Sequence, residues 1–494
     1  MTPSKIKSVA VLGAGPSGLA TAKYLLAENY FEKIDVFEQA SRSGGVWNYS
    51  SPGNGHGLSV PQTSPHVPLE EPLKPEAHIN GAMNGDDTEV TFVSPIYDRL
   101  ETNIPHFLMQ FHDKPFPKDI QLFPPYPVVT QYLHEYAEDI RHLISFHVQV
   151  VDVRLKKEGS EDVWIVKTKN LKTQAVTEGL YDAVVVATGH YSVPYVPDVK
   201  GISHWDHTYP GIISHSKFYR RPETFKDKKV VVVGNSASGI DVAAQVSQFA
   251  KKPVLQSQES ESYMNVGPVP SWKEELPRIV EFLPPETYNK AIRFENGRIE
   301  EGVDAIVFCT GYFYSFPFLS SLEPPLISDG TRTQHVFKHL FYIDHPTLAF
   351  SVLMYKIIPF PLAESQAVVL ARIWAGRLSL PDKADMSKWE QAVISEKGAG
   401  KRFHEMTFPK DAEYLDEMHD WAEQATLRDG LEREGKGKEG PKWSDKQRWF
   451  RGRFPLIKAA FLAQGEGRRN IKTMEELGFD YEAWQNNEQE ENIV

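Results

Sequence analysis

Two glycine-rich loops contain the residues whose types and spacing most clearly predict chemistry in this chain. The first loop reads GAGPSG, where Gly13, Gly15 and Gly18 keep the spacing G-x-G-x-x-G between a strand-like and a helical run. The first glycine allows a tight turn, the second lets backbone approach a pyrophosphate, and the third lets helix and strand pack closely. Free N–H groups at the start of a helix attract phosphate. The loop therefore predicts a dinucleotide site, to which Pro16 and Ser17 contribute contacts.

An acidic residue at the expected distance supports the first site. Glu38 lies 20 residues after Gly18, at the end of the next strand-like run. A carboxylate at that position accepts hydrogen bonds from ribose hydroxyls and favours an unphosphorylated ribose, as in FAD or NAD. A purely structural turn is the alternative, and the flanking strands and the acid make it the weaker interpretation.

The second loop reads GNSASG and departs from the pattern at its middle position. Ser236 replaces the second glycine, so it hinders backbone approach to a phosphate, although its hydroxyl can donate a hydrogen bond. The predicted contacts are Gly234, Ser236, Ala237, Ser238 and Gly239. No arginine occurs in 256–259, after the following strand, where NADP-binding proteins often place one. A structural turn and a preference for NADH both stay open.

The elements that must position these loops form two strand–turn–helix–strand units. They cover 7–38 and 228–258, and further buried strands are predicted at 182–190 and 304–312. Thr130 is predicted to cap a helix over 130–143. The stretch from about 50 to 95 is rich in proline and glycine and predicts an extended insertion. We expect an α/β fold with two Rossmann-like dinucleotide-binding domains, and we find no spacing that predicts a metal site.

Bulk composition excludes several classes of protein. The 54 basic and 66 acidic side chains give a net charge of −12, which argues against binding to nucleic acid or an anionic membrane. The single cysteine, Cys309, excludes a disulfide framework and a CxxC pair and favours a reducing, cytoplasmic location. The most apolar stretch, 339–362, is broken by charges and prolines, so no membrane span is expected. Neither a signal peptide nor a lipid anchor is expected.

The linker between the two units carries a further pattern. In YPGIISHSKFY, residues 209–219, the pattern aromatic-x-Gly-x-x-x-His-x-x-x-Tyr/Phe is met by Tyr209, Gly211, His215 and Tyr219. Other characteristic runs are GGVWNY (44–49), LETNIP (100–105), ATGH (187–190), FCTGY (308–312) and the stretch 345–367. In these runs and their order, nearly the whole chain resembles the flavin-containing monooxygenases, especially the soluble fungal and yeast-type branch. Tyr209 departs from that family's usual phenylalanine.

The resemblance implies a domain order. An FAD domain would consist of 1–206 and 319–494, with the NADPH domain, 207–318, inserted between them. The insertion at about 50–95 would belong to the first segment. His215 would then lie where the chain crosses between the domains, and we expect it to act by positioning them rather than in catalysis.

The resemblance also implies a reaction. NADPH would reduce FAD, the reduced flavin would capture O₂ as a C4a-hydroperoxide, and an amine nitrogen or sulfide sulfur of a small molecule would take one oxygen. Asn103 matches the family's active-site asparagine, although an asparagine that caps a turn before Pro105 is the alternative. The remaining predicted cofactor contacts are Gly45, Val46, Trp47, Thr102 and Gln366.

Alternative functions remain open from sequence alone. A Baeyer–Villiger monooxygenase of ketones has a related design, but its version of the linker pattern typically ends in tryptophan. A non-oxygenating NADPH oxidase or a redox-sensing nucleotide-binding protein would carry the same two loops. A disulfide reductase is excluded because it needs a cysteine pair. The sequence leaves a homodimer open.

Overall fold

The computed structural model describes residues 6–50, 57–73, 89–158, 161–262, 264 and 268–491. A first sheet contains the strand before the first glycine loop. Its strand order is Val336–Phe337, Phe341–Tyr342, Leu348–Phe350, Ala183–Val186, Ser8–Leu12, Lys33–Phe37 and Ile144–Ser145. The last five of these run parallel, and Phe341–Tyr342 pairs antiparallel with the strand on each side of it. The central strands are short, apolar and almost fully buried, as expected for a parallel sheet covered on both faces.

A second sheet contains the strand before the second glycine loop, and all its strands run parallel. Their order is Lys273–Leu276, Val254–Ser257, Val230–Val233, Ala305–Phe308 and Ile213–His215. The four consecutive valines of Val230–Val233 lie at its centre, where β-branched side chains pack well. The strand Ile213–His215 belongs to the linker pattern, so this sheet begins inside the linker.

Smaller sheets complete the strand pairing. Val148–Glu158, Glu161–Asn170 and Val176–Tyr181 form one antiparallel sheet, and Ile279–Phe282, Ile292–Phe294 and Ile299–Glu300 form another. The short strands Val193–Pro194 and Tyr312–Phe313 pair antiparallel. Val193–Pro194 lies where the chain passes from the first sheet to the second, and Tyr312–Phe313 lies where it passes back. The two connecting segments are therefore hydrogen-bonded to each other.

Helices cover the faces of the sheets. Their bounds are Pro16–Ala27, His106–Met109, Tyr126–Ala137, Ile202–Thr208, Ala237–Val246, Pro359–Trp374, Lys383–Lys397, Lys410–Ala422, Asp445–Ala463 and Tyr481–Glu491. Nearly every side chain of Pro359–Trp374 is buried, and this helix packs against Pro16–Ala27. Across the described ranges, each helix is too short or too polar to span a lipid bilayer.

The α/β fold with Rossmann-like units is confirmed, but the capping role of Thr130 was wrong. The helix begins at Tyr126, because Pro125 precedes it and Pro127 suits its first turn. Thr130 lies inside it, and its hydroxyl donates to the carbonyl oxygens of Trp47 (2.6 Å) and Tyr126 (3.0 Å). The predicted insertion lies partly outside the described residues, which include its segments 57–73 and 89–95.

Candidate functional site

The first loop has the geometry of a phosphate cradle. Gly13 has φ +106°, and a Cβ built on it would lie 2.7 Å from the carbonyl oxygen of Ala187. A Cβ on Gly18 would lie 1.9 Å from the carbonyl oxygen of Gly13, so only glycine fits there. Pro16 begins the helix, and Gly15 precedes it in extended conformation. The N–H groups of the first helical turn are therefore free to meet an anion.

The GGVWNY run crosses directly over this loop. A Cβ built on Gly45 would lie 2.9 Å from Cα of Gly15, and the N–H of Gly44 donates to Ala14 at 2.9 Å. The two chain segments can approach this closely because Gly45 carries no side chain at the crossing. Trp47 ends a short 3₁₀ turn beside it and meets the ring of Phe360 edge to face, with ring centroids 6.5 Å apart.

Glu38 is held at the end of its strand by backbone donors. One carboxylate oxygen accepts from the N–H of Ala14 and the other from the N–H of Ala40, each at 2.8 Å. Burial raises the pKa of Glu38, while these hydrogen bonds act in the opposite direction. Each oxygen retains a further lone pair, so the carboxylate can still accept from a hydroxyl of a bound ribose.

Most residues predicted to contact the first nucleotide line one large cavity. It has a volume of about 1250 Å³ and extends from the first loop to the start of the helix Pro359–Trp374. The predicted contacts among its lining residues are Gly13, Gly15, Pro16, Ser17, Glu38, Gly45, Val46 and Trp47. Gly18 is not in the lining, which agrees with a packing role. Both described segments of the insertion contribute to the wall.

The second loop repeats the geometry of the first. Gly234 has φ +109°, and a Cβ on it would lie 2.7 Å from the carbonyl oxygen of Cys309. A Cβ on Gly239 would lie 2.1 Å from the carbonyl oxygen of Gly234. Ser236 precedes the helix Ala237–Val246, and its hydroxyl forms no capping hydrogen bond, so it stays available for a ligand. Ala237 and Ser238 form the first turn of this helix.

The linker pattern is built around buried side chains. His215 is fully buried, and its Nδ1 accepts from the N–H of Lys217 at 3.1 Å. Its ring meets that of Tyr312 edge to face, with centroids 5.1 Å apart, and burial lowers its pKa to about 3. The hydroxyl of Tyr219 donates to Gln245, on the helix Ala237–Val246 that follows the second glycine loop (the second-unit helix), at 3.0 Å. Neutral, packed His215 fits a positioning role, which stays a prediction.

Tyr209 and Gly211 form the start of this linker. Tyr209 packs edge to face on Trp205, with centroids 5.1 Å apart, and Gly211 has φ +81°. Neither residue lines the cavity, whereas Lys217 and Phe218 of the same linker do. Lys217 donates to Glu70 (2.9 Å) and to the carbonyl oxygen of Ser192 (2.7 Å).

Thr102 and Asn103 lie outside the cavity lining. The N–H of Thr102 donates to Pro124 at 3.0 Å, and its hydroxyl donates to Ile104 at 2.8 Å. Thr102 is buried and Asn103 is half-buried. The cofactor contacts of both residues remain predictions.

The structure places Gln366 behind the cavity wall, and its expected contact with the flavin remains a prediction. Its Oε1 accepts from the N–H of Val352 at 2.8 Å, and its Nε2 donates to the hydroxyl of Tyr414 at 3.0 Å. It is fully buried and absent from the lining, while Val352 and Met354 are part of it. The amide therefore links the wall segment at Val352 to Tyr414.

Sequence reasoning missed one lining residue that has an open hydrogen-bonding atom. His190 lines the cavity, and its buried Nε2 has no partner among the described residues. Burial lowers its pKa to about 4, so the ring is neutral at physiological pH. The signal was present in the run ATGH, which the sequence analysis used only as a family marker. Among the residues that the structure describes, no cluster of histidine, cysteine and acidic side chains could hold a metal ion.

Two family models match the chain. The model described as flavin-binding monooxygenase-like matches residues 74–267 and 279–431, and a NAD(P)-binding Rossmann-like domain matches residues 11–66. The flavin- and NAD(P)-binding expectations are thereby confirmed at the level of the family. These family models do not name the individual nucleotide, so the assignment of FAD and NADPH to the two loops depends on the residues of each loop.

Named relatives cover most of the chain. A flavin-containing monooxygenase of Arabidopsis thaliana, FMO GS-OX-like 9, is 33% identical over 85% of this chain and 86% of its own. The thiol-specific monooxygenase of Saccharomyces cerevisiae is 30% identical over 78% of this chain and 81% of its own. The structure of S-allyl-L-cysteine S-oxygenase from Allium sativum superposes with a TM-score of 0.71 and 26% identity, covering 96% of this chain and 98% of that chain.

Proposed function

Because the chain belongs to the flavin-binding monooxygenase family, we propose that it binds FAD at the first loop and NADPH at the second. The proposed activity is oxygenation of a soft sulfur or nitrogen atom in a small molecule by O₂. The observation that carries this proposal is the repeated cradle, in which Gly13 and Gly234 have nearly equal φ angles and the same close approach to a strand end. Two such cradles allow one chain to bind two nucleotides and to orient them for electron transfer.

The residues at the first site fit an FAD molecule. The glycine crossing leaves room for a pyrophosphate beside the start of the helix, and Glu38 stands where a ribose would lie. The cavity is long enough to continue from there towards Trp47 and the helix start at Pro359. When bound, the flavin supplies the redox chemistry, and the chain supplies binding, orientation and exclusion of water.

The residues at the second site fit a nicotinamide dinucleotide. Gly234 and Gly239 form the turn, and the hydroxyl of Ser236 is a donor for the pyrophosphate in place of a glycine approach. A preference for NADPH is the family's expectation and is part of this proposal. The domain limits 1–206, 207–318 and 319–494 are likewise proposed, supported by the continuous second sheet between Ile213 and Phe308.

Sulfur is the substrate atom we propose first. The names of the yeast and garlic relatives describe a thiol and a sulfide of cysteine as their substrates. The lone cysteine supports the proposal that the protein works in the cytoplasm, where thiols stay reduced.

Asn103 is proposed to orient the reacting oxygen. It is half-buried, and its side-chain amide offers both a donor and an acceptor to a ligand. A positioned neutral donor stabilises developing negative charge on an oxygen without adding a proton.

The test measures oxygenated product and H₂O₂ separately for each NADPH consumed. The FAD-loaded protein is offered an aryl methyl sulfide, a tertiary aromatic amine and a cyclic ketone. We expect sulfoxide or N-oxide, and Asn103→Ala should lower the ratio of oxygenated product to H₂O₂ by about 100-fold, the lower end of the range for loss of one positioned donor. Asn296→Ala, in a turn outside the cavity, is the control. Ester formation from the ketone would instead support a Baeyer–Villiger enzyme, and H₂O₂ alone would support an oxidase.

A further inference from the structure

A lysine near the end of the chain reaches the segment that carries Asn103. Lys458 lies on the helix Asp445–Ala463, and its Nζ donates to the carbonyl oxygen of Thr102 at 2.7 Å. The ammonium group also lies over the rings of Phe123 (4.4 Å) and Phe461 (5.3 Å). Although the residue keeps some exposed surface, its charged end is surrounded by protein.

The groups that face this ammonium come from three different elements. Asp241 on the second-unit helix and Glu101 beside Thr102 bring negative charge, and Arg468 brings positive charge while binding Glu101 at 2.9 Å. Desolvation outweighs the two carboxylates and lowers the pKa of Lys458 to about 8. The lysine therefore titrates near physiological pH.

The same segment is also fastened to the second unit. The hydroxyl of Tyr97 donates to Asp241, and the side-chain amide of Gln245 donates to the carbonyl oxygen of Arg99 at 3.3 Å. Residues 97–102 thus lie between the helix that follows the second loop and the helix that carries Lys458. Asn103 is the next residue after this fixed segment.

We propose that Lys458 is a positioning residue that fixes Asn103 relative to the bound nucleotides. The carbonyl of Thr102 and the N–H of Asn103 share one rigid peptide plane, so an ammonium bonded to that carbonyl sets where Asn103 begins. A charged donor makes a stronger hydrogen bond than a neutral amine, so deprotonation loosens the plane. This inference rests on the proposed function of Asn103.

The variants separate charge from bulk. Lys458→Met keeps the apolar stem but removes the donor, and Lys458→Arg keeps a charge that does not titrate below about pH 12. Lys446→Met is the matched control, because Lys446 lies on the same helix and pairs at the surface with Glu482 at 2.7 Å.

The first readout is the fraction of NADPH converted to oxygenated product from about pH 6.5 to 9.5. In the parent protein we expect this fraction to fall above about pH 8, and in Lys458→Met to be about ten-fold lower and flat, near the lower end of the range for one charge-assisted hydrogen bond. Lys458→Arg should restore the fraction and remove its alkaline fall. Anaerobic reduction of the flavin by NADPH should change less than about two-fold.

The second readout does not depend on turnover. Hydrogen–deuterium exchange of residues 97–105 in the full-length protein should speed up by about ten-fold in Lys458→Met, the equivalent of about 1.4 kcal/mol. The exchange should stay unchanged in Lys446→Met. If the parent protein oxygenates nothing, the proposed function fails, and the exchange experiment still decides whether Lys458 orders this segment.

Two results would overturn the inference. One is parent-like exchange and product fraction in Lys458→Met. The other is an alkaline fall in Lys458→Arg that matches the parent, and this outcome is decisive even where Lys458→Met fails to fold.

Discussion

The Nδ1 atoms of His339 and His404 lie 2.9 Å apart in the protein interior. His404 accepts from the N–H of Thr333 through Nε2 at 3.1 Å, so its own proton is on Nδ1 and is donated to His339. Burial lowers the pKa of His339 to about 3 and that of His404 well below its ordinary value. Both rings are therefore neutral in the folded protein at physiological pH.

This pair predicts acid sensitivity. Unfolded chains protonate their histidines as the pH falls below about 6.5, while folded His339 stays neutral down to about pH 3. Stability contributed by neutral His339 is thus present above about pH 6.5 and is lost progressively between these limits, by about 1.4 kcal/mol at pH 5.5. Denaturant unfolding at pH 7.5 and 5.5 measures the loss. His339→Gln should show a smaller difference between the two pH values, and exposed His142→Gln should match the parent. Equal pH dependence in His339→Gln would contradict the prediction.

Alanine substitutions at Gly15 and Gly18 should have different effects, the first on FAD binding and the second on folding stability. A Cβ at Gly15 would make only an ordinary contact, 3.5 Å from Cα of Gly45, so Gly15→Ala should fold but crowd the pyrophosphate. We expect its FAD affinity to fall by about ten-fold or more, which is about 1.4 kcal/mol.

The matched variant Gly18→Ala places a Cβ against the backbone and should lower the unfolding free energy itself by about 2 kcal/mol or more. Flavin fluorescence titration and thermal unfolding measure the two effects. Normal FAD affinity in a folded Gly15→Ala protein would argue against the first site.

Lys217 should hold the insertion against the cavity. It is buried and bonds both Glu70 and Ser192, and all three residues line the cavity. Lys217→Met leaves both acceptors without this donor, so we expect a loss of about 2 kcal/mol in unfolding free energy and faster release of FAD. Exposed Lys226→Met is the control. Parent-like FAD release would show that the contact between the insertion and the linker does not retain the cofactor.

Cys309 should be dispensable for activity. Its Cβ lies 3.5 Å from where Gly239 would carry a Cβ, and burial raises the pKa of the thiol to about 12. We expect no reaction with a thiol reagent in the folded protein. Cys309→Ala should keep full activity, whereas Cys309→Val should lose about 1–3 kcal/mol by overpacking against the second loop. An inactive but folded Cys309→Ala protein would assign the thiol a role.

The sequence predicted the local features of the site better than the distant ones. Both glycine loops could be identified because a phosphate cradle is made by consecutive residues between a strand and a helix. Gln366 could not be placed, because its partners Val352 and Tyr414 meet it only after the C-terminal helices pack. Lys458 carried no sequence signal, because its partner Thr102 is 356 positions away along the chain. Thr130 was wrongly predicted to cap the helix, because the prediction did not consider that Pro125 and Pro127 start the helix four residues earlier.

The interleaved sheets also set an order of assembly during protein synthesis. Every strand of the second sheet lies between Ile213 and Phe308, so that sheet has all its strands once this stretch has left the ribosome. The first sheet must wait for Leu348–Phe350, which pairs with Ala183–Val186 more than a hundred residues earlier. Because long-range pairing is slow, the nascent first sheet has an unpaired edge while the second can already form. Released chain fragments that end shortly after Phe308 should therefore protect the second sheet from protease and leave the strands of the first sheet open to cleavage.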